Sequence, residues 1–239
     1  MFESRASESE FLDHPDCDAD LARASYRFME RVNLLFGGIR VVRRFLAKAA
    51  LEHTGPRPLR ILDIGSGSCD IPLALSRWSR RCHLNLHFTC LEPAGPAARI
   101  ARKRLDRADD PAIQLLQENA FDHHPAEPYD HAIISMCAHH FDNDTLVALI
   151  RRLRVFIRGS VLINDLLRTP FAVAGARLLT IGAPEGVRHD ALLSVRRGFT
   201  VRELREILQS VEAAEVVVET AWAFRIAATV RFIKGPLEK

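Results

Sequence analysis

Short apolar runs alternate with amphipathic stretches along most of this chain. Apolar runs at Leu59–Ile64, Leu84–Leu91, Ala112–Gln117, Tyr129–Met136 and Ser160–Asn164 predict strands. Between them, Ile71–Arg81, Ala97–Arg107 and Thr145–Phe156 carry the spacing of a helix with one apolar face. Thr200 followed by Glu203 forms a capping-box signature that opens a helix to about Gln209. Two β-rich runs, Glu215–Thr220 and Ala223–Phe232, then close the chain as a strand pair. Strands alternating with helices of this length predict an α/β fold with a parallel sheet covered on both faces. Ligands of such sheets sit outside the carboxyl ends of the strands.

The flanks depart from this rhythm. Residues 1–18 are polar and read as a loose arm, and Asp20 to His53 is helical, split at Gly37-Gly38. With Pro56 and Pro58 as a boundary, residues 1–55 read as an N-terminal helical cap and 56–239 as the main domain. Residues 168–198 interrupt the alternation: an apolar segment from Phe171 to Ala176 with Leu178 and Leu179, then a polar loop Val187-Arg188-His189-Asp190. This insertion is placed to cover a ligand.

Composition narrows the class. Apolar content of 48% and charged content of 26% are those of a soluble globular protein. Net charge is only +3, and acidic residues are nearly as numerous as basic ones, so the arginines at helical spacing read as solvated faces rather than a nucleic-acid stripe. Five irregularly spaced cysteines make neither a disulfide framework nor a zinc pattern. The polar start Met1-Phe2-Glu3-Ser4-Arg5 is no secretory signal, and no apolar run reaches membrane-spanning length, so the expectation is a cytoplasmic protein without stable membrane insertion.

The chemistry concentrates at Leu62-Asp63-Ile64-Gly65-Ser66-Gly67-Ser68-Cys69-Asp70. A strand ends in an acid, and two glycines lead into a helix start, where free N–H groups favour an anionic group. A dinucleotide fingerprint requires glycine at the sixth position of GxGxxG, and Asp70 stands there instead. Downstream lie Glu92 at the end of the second strand, Gln117-Glu118-Asn119-Ala120 after the third, and Ser135-Met136-Cys137-Ala138-His139-His140-Phe141 after the fourth. This series resembles the motifs of class I S-adenosylmethionine (SAM) methyltransferases. The resemblance implies a Rossmann-like, mostly parallel seven-stranded sheet with an antiparallel last strand and an N-terminal helical cap. It implies SAM bound by Asp63, Gly65, Ser66, Gly67, Asp70, Glu92, Pro93, Asn119, Ala120, Ser135, Met136 and Tyr26, with S-adenosylhomocysteine (SAH) released as product. Glu92 would hold the ribose hydroxyls and Asn119 or Glu118 the adenine.

Segments beyond these motifs, among them Asp13-His14-Pro15-Asp16-Cys17-Asp18, Ser25-Tyr26-Arg27-Phe28, Asn164-Asp165-Leu166, Arg188-His189-Asp190 and Ser194–Thr200, resemble bacterial methyltransferases found beside type III polyketide synthases. That family is associated with O-methylation of phenolic or pyrone polyketides such as alkylresorcinols. A phenol of pKa near 10 is ionised about one part in a thousand at pH 7, so a base is worth roughly 4 kcal/mol. His139, His140 and His189 are the candidate bases, and Arg27, Asp165, Arg188 and Phe171 candidate acceptor contacts. No metal is expected, since Asp142 and Asp144 read as a helix start. The expected partner is a small aromatic acceptor, with the chain a monomer or homodimer. A quinone-precursor C-methyltransferase and a SAM-binding cyclase or regulator that does not methylate stay open. A nucleic-acid methyltransferase does not, because strand four lacks the Asn/Asp-Pro-Pro-aromatic motif.

Overall fold

The computed structural model describes residues 4–14, 16–212 and 214–233. Met1–Glu3, which entered the reading of the N-terminus, and Pro15 of the Asp13–Asp18 stretch lie outside them. The strands β1 (Leu59–Ile64), β2 (Leu86–Leu91), β3 (Ile113–Leu116), β4 (His131–Ser135), β5 (Ser160–Leu166), β6 (Ala214–Ala221) and β7 (Arg225–Phe232) form one seven-stranded sheet in the order β3-β2-β1-β4-β5-β7-β6. β7 runs antiparallel to both β5 and β6, and the other pairs are parallel. This is the expected sheet, including its antiparallel last strand. Winding reverses between β1 and β4, which opens a crevice at their carboxyl ends.

Alternate residues of the central strands feed two cores, as the two-residue repeat of a strand requires. Ile61, Phe88 and Ile133 pack on one face against Val42, Leu46 and Leu75. Their neighbours Leu62, Ile134 and Ile163 pack on the other against Leu146, Leu149, Leu204 and Leu208. The first face is covered by α2 (Gly38–Glu52), α3 (Asp70–Arg81) and α4 (Gly95–Ala108), the second by α5 (Asn143–Leu153) and α8 (Val201–Gln209). α1 (Ala19–Leu35) and α2 meet at Gly37, whose φ of +81° suits glycine. α2 lies directly on the sheet, so a boundary at residue 55 divides the sequence but not the core.

Two segments differ from their expected form. The stretch 187–190 is not a loop: 168–198 contains α6 (Pro170–Leu179) and α7 (Glu185–Arg197), and Arg188-His189-Asp190 lies inside the latter. Arg188 and His189 lie on the outer face of that helix, while Val187, Asp190 and Leu193 are buried. The arm 4–14 is not loose either. Arg5 donates to the carbonyls of His139, Phe141 and Arg197. The Asp190 carboxylate accepts from the backbone N–H groups of Phe11 and Leu12 at 2.9 and 3.0 Å. The arm has no hydrophobic periodicity because polar bonds, not an apolar face, hold it down.

Leu146 on α5 is fully buried, whereas Val155 just beyond that helix is 74% exposed. Leu146→Ala is expected to lower unfolding stability by about 2–5 kcal/mol in urea titrations. Val155→Ala should change it by less than about 0.5 kcal/mol.

Candidate active site

The turn after β1 uses three residues with positive φ: Gly65 (64°), Gly67 (54°) and Cys69 (57°). A Cβ on Gly65 would collide with the Cys137 thiol, and one on Gly67 would lie 3.1 Å from the Tyr26 ring. The glycines therefore serve close approach as well as conformation. Cys69, fully buried, takes the left-handed position just before α3. Glu92, at the end of β2, accepts from Gly67 N–H at 2.7 Å and from Ala94 N–H at 2.9 Å, pinning the turn.

Three carboxylates crowd this turn, Asp63 and Glu92 buried and Asp70 half-buried. Burial, with Asp70 and Glu92 nearby, pushes Asp63 well above the usual carboxylate range. Burial likewise raises Asp70 and Glu92, although Asn33 opposes it at Asp70 and backbone N–H groups oppose it at Glu92. Such a cluster favours a ligand that brings positive charge. At its edge sits Arg225, fully buried, whose pKa is lowered to about 10 by burial. Its Nη2 donates to Asn33 Oδ1, and Asn33 Nδ2 donates to Asp70 Oδ2, both at 3.0 Å. The chain Arg225–Asn33–Asp70 thus ties β7 and α1 to the turn.

Past β4 the backbone makes a short 3-10 helix, Ala138–His140. The His139 N–H donates to Asp165 Oδ2 at 3.0 Å, and its Nδ1 lies 2.7 Å from Asp165 Oδ1. His139 is 2% exposed and Asp165 0%. Burial by itself would depress the His139 pKa, but Asp165 and Glu10 outweigh it and raise the value to about 10. The outer nitrogen, Nε2, is 3.5 Å from Glu10 Oε1 and makes no hydrogen bond although buried. His140 stacks on His139 with centroids 4.3 Å apart, and its Nδ1 is 3.0 Å from Asp13 Oδ1. Arg197 pairs with Asp13 at 3.0 Å and donates to the carbonyls of His139 and His140. Ligand atoms of Glu10, His139 and His140 also lie within 4.8 Å of one another, a grouping that sequence spacing does not show.

Turn and histidines share a cavity of about 740 Å³. Its far walls are apolar: Phe28, Met29 and Val32 from α1 with Phe36 just after it, Ala172, Ala176 and Leu179 from α6, Val187 and Val195 from α7, and Phe224. Of the residues expected at the cofactor, Tyr26, Asp63, Gly65, Ser66, Gly67, Asp70, Glu92, Pro93, Ser135 and Met136 line this cavity, and His139 and His140 join them. Asn119 and Ala120 do not: Asn119 is exposed and accepts from Phe121 N–H at 3.0 Å, and Ala120 packs into the core. Asp165 stands behind His139 rather than in the wall. His189, expected as a candidate base, lies outside the cavity, with its ring 4.6 Å from that of Phe11 and Nδ1 3.0 Å from Asp190. Arg27, Arg188 and Phe171 also face solvent, because their neighbours Phe28, Val187 and Ala172 take the inward positions of each helix. Glu10 and Arg225 were not singled out from the sequence, and Asp13 and Arg197 entered only within segments that carry the family resemblance.

Residues 61–159 match a family model described as a methyltransferase domain. A comparison with curated proteins yields no match. Among solved structures, the plantazolicin methyltransferase BamL, in complex with a triazolic desmethylPZN analog and SAH, superposes with a TM-score of 0.72 at 15% identity, covering 94% of this chain and 93% of that one. A putative O-methyltransferase from Nostoc punctiforme PCC 73102 gives 0.62 at 15% identity over 96% and 65% of the two chains. The citrinin polyketide synthase CMeT domain gives 0.61 at 16% identity over 82% and 52%. At such identities the likeness speaks for the fold. Residues 61–159 are thus similar to a methyltransferase domain, and the seven-stranded sheet has the class I methyltransferase fold.

Gly65→Ala adds a methyl group where the Cys137 side chain already lies, at a φ that side chains rarely adopt. It is expected to weaken cofactor binding at least tenfold by isothermal titration, while far-UV circular dichroism stays unchanged.

Proposed function

We propose that this protein transfers a methyl group from SAM to a small, largely apolar aromatic acceptor, with a phenolic or enolic oxygen as the nucleophile. The residues at the turn suit the cofactor: glycines that leave room for it, and acids that favour its positive charges. Asp63 and Asp70 would face the ammonium, Glu92 the ribose hydroxyls, and Arg225 is the buried cation available to the carboxylate. When bound, SAM supplies a methyl group activated by the positive sulfur.

One observation carries the acceptor reading. His139 lines a cavity whose farther walls are apolar, and its buried Nε2 has no hydrogen-bond partner, with Glu10 Oε1 3.5 Å away. An aromatic acceptor bearing one hydroxyl would satisfy both. Asp165 holds the ring through Nδ1, which would leave Nε2 to take the hydroxyl proton, the base-and-orienter arrangement of activated nucleophiles. With a pKa of about 10, His139 matches a phenol. The proton can then lie on either partner at little cost, and the imidazolium stabilises the phenolate. The apolar walls keep water from the reacting atoms. Members of the polyketide-associated family that the sequence resembles act on such acceptors, and the neighbouring CMeT domain belongs to a polyketide synthase.

Incubation with labelled SAM and a panel of alkylated resorcinols, pyrones and simple phenols tests this. SAH release with the label on oxygen is expected. Tight SAM binding without turnover on any member would overturn the reading, and label on ring carbon would replace the oxygen nucleophile by a carbon one. His139→Gln should lower kcat by about 10²–10⁴-fold while SAM affinity holds.

The pH dependence carries its own sign. Because the carboxylates raise the His139 pKa, the acceptor complex must shed a proton that is held up to high pH. Turnover is therefore expected to rise steadily from pH 7, with its inflection near 10 rather than at the usual histidine value. Glu10→Gln removes one of the raising groups and should move the inflection down. An inflection near 6.5 in the unaltered enzyme would exclude His139 as the titrating group.

A further inference from the structure

We propose that the mouth of the cavity is built to dock on an anionic phospholipid surface. Large apolar side chains stand in water here: Phe171 (76% exposed), Leu178 and Ile181 (77%) on and after α6, and Trp222 (72%) with Phe224 between β6 and β7. Leu34 and Leu35, at the end of α1, are exposed beside them. These pieces form one patch. Ala223 N–H donates to Phe36 O, the Phe224 ring lies against Gly175, and Phe36, Leu178 and Phe224 all line the cavity. The opening therefore lies within the patch. Soluble monomers rarely expose such groups together without a use for them.

The surrounding charge selects the occupant. Arg27 and Arg31 precede Leu34 and Leu35 on α1 at helical spacing. Next to them, α2 starts where the Gly37 backbone touches Trp222, and its exposed face carries Arg40, Arg43, Arg44 and Lys48. Among the described residues these six cations form no ion pair, and α2 has no acid before Glu52. Glu30, the acid on this part of α1, is held by Arg104 at 2.5 Å. Exposed apolar side chains flanked by unpaired arginines fit an interface of headgroups and acyl chains. A second copy fits poorly, since a two-fold contact would set cationic rows against each other. No helix of the described residues is long and apolar enough to cross a membrane, so contact would be with one leaflet. An apolar acceptor could then pass from that leaflet into the cavity without entering water.

Co-sedimentation with vesicles tests the proposal. The protein should pellet with phosphatidylcholine vesicles containing one part in three phosphatidylglycerol, weakly or not at all with phosphatidylcholine alone, and less as salt rises. With Trp78 replaced by Phe, Trp222 is the sole tryptophan, and its emission should shift to the blue on vesicle addition. The triple variant R40E/R43E/R44E should lose partitioning roughly tenfold or more, and Phe171→Ser with Ile181→Ser comparably, at unchanged SAM affinity and thermal unfolding. Absence of pelleting with either vesicle, or equal binding to both, overturns the proposal. So does a dimer, detected by sedimentation velocity, that the Phe171/Ile181 changes dissociate.

Discussion

A buried imidazole between two carboxylates organises this molecule. His139 sits on the exit from β4, Asp165 at the end of β5 and Glu10 on the N-terminal arm, so one ring joins three distant segments. A buried ion costs several kcal/mol unless its partners are close and fixed. Asp165 is fixed by the sheet, since its carboxylate also accepts from the His139 and Leu166 N–H groups. Glu10 is fixed only if the arm is seated, which is the work of Arg5, Asp190 and Ser194. The arm thereby completes both the wall of the cavity and the electrostatics of its principal histidine.

The cavity has two chemically opposed ends. At the glycine turn, carboxylates gather and leave a deficit of positive charge; along α6 the lining residues carry no polar side chain. The switch in strand order between β1 and β4 brings these ends side by side, because it leaves a crevice that neither helix layer fills. α1 spans it, with Tyr26 over the turn and Phe36 at the mouth. Arg225, Asn33 and Asp70 keep that helix in register with the sheet.

Much of the fold was legible in the sequence. The strands and most helices came from periodicities of two and 3.6 residues, with boundaries displaced by one to three residues. The glycine turn came from residue types alone, since only glycine tolerates both the positive φ at position 65 and the thiol beside it. Errors fell where polar residues were taken as a sign of disorder. The arm and the 187–190 stretch are polar because they bond to backbone and to each other, and a hydropathy pattern has no term for that. Arg27, Arg188 and Phe171 were misplaced by one helical position, about 100° of rotation, which neighbouring apolar residues left undecided.

The sequence by itself determined the order of elements, the sheet they build and the turn after β1, because these depend on neighbours a few residues apart. Tertiary structure alone decided which histidines line the cavity, that Glu10 and Arg197 complete their surroundings, and that Arg225 lies at the edge of the turn. Those are contacts between residues far apart along the chain, made by long polar side chains whose direction is set by packing. Spacing does not encode such directions, so His139 and His189 looked alike until one proved buried against Asp165 and the other lay outside the cavity against Phe11.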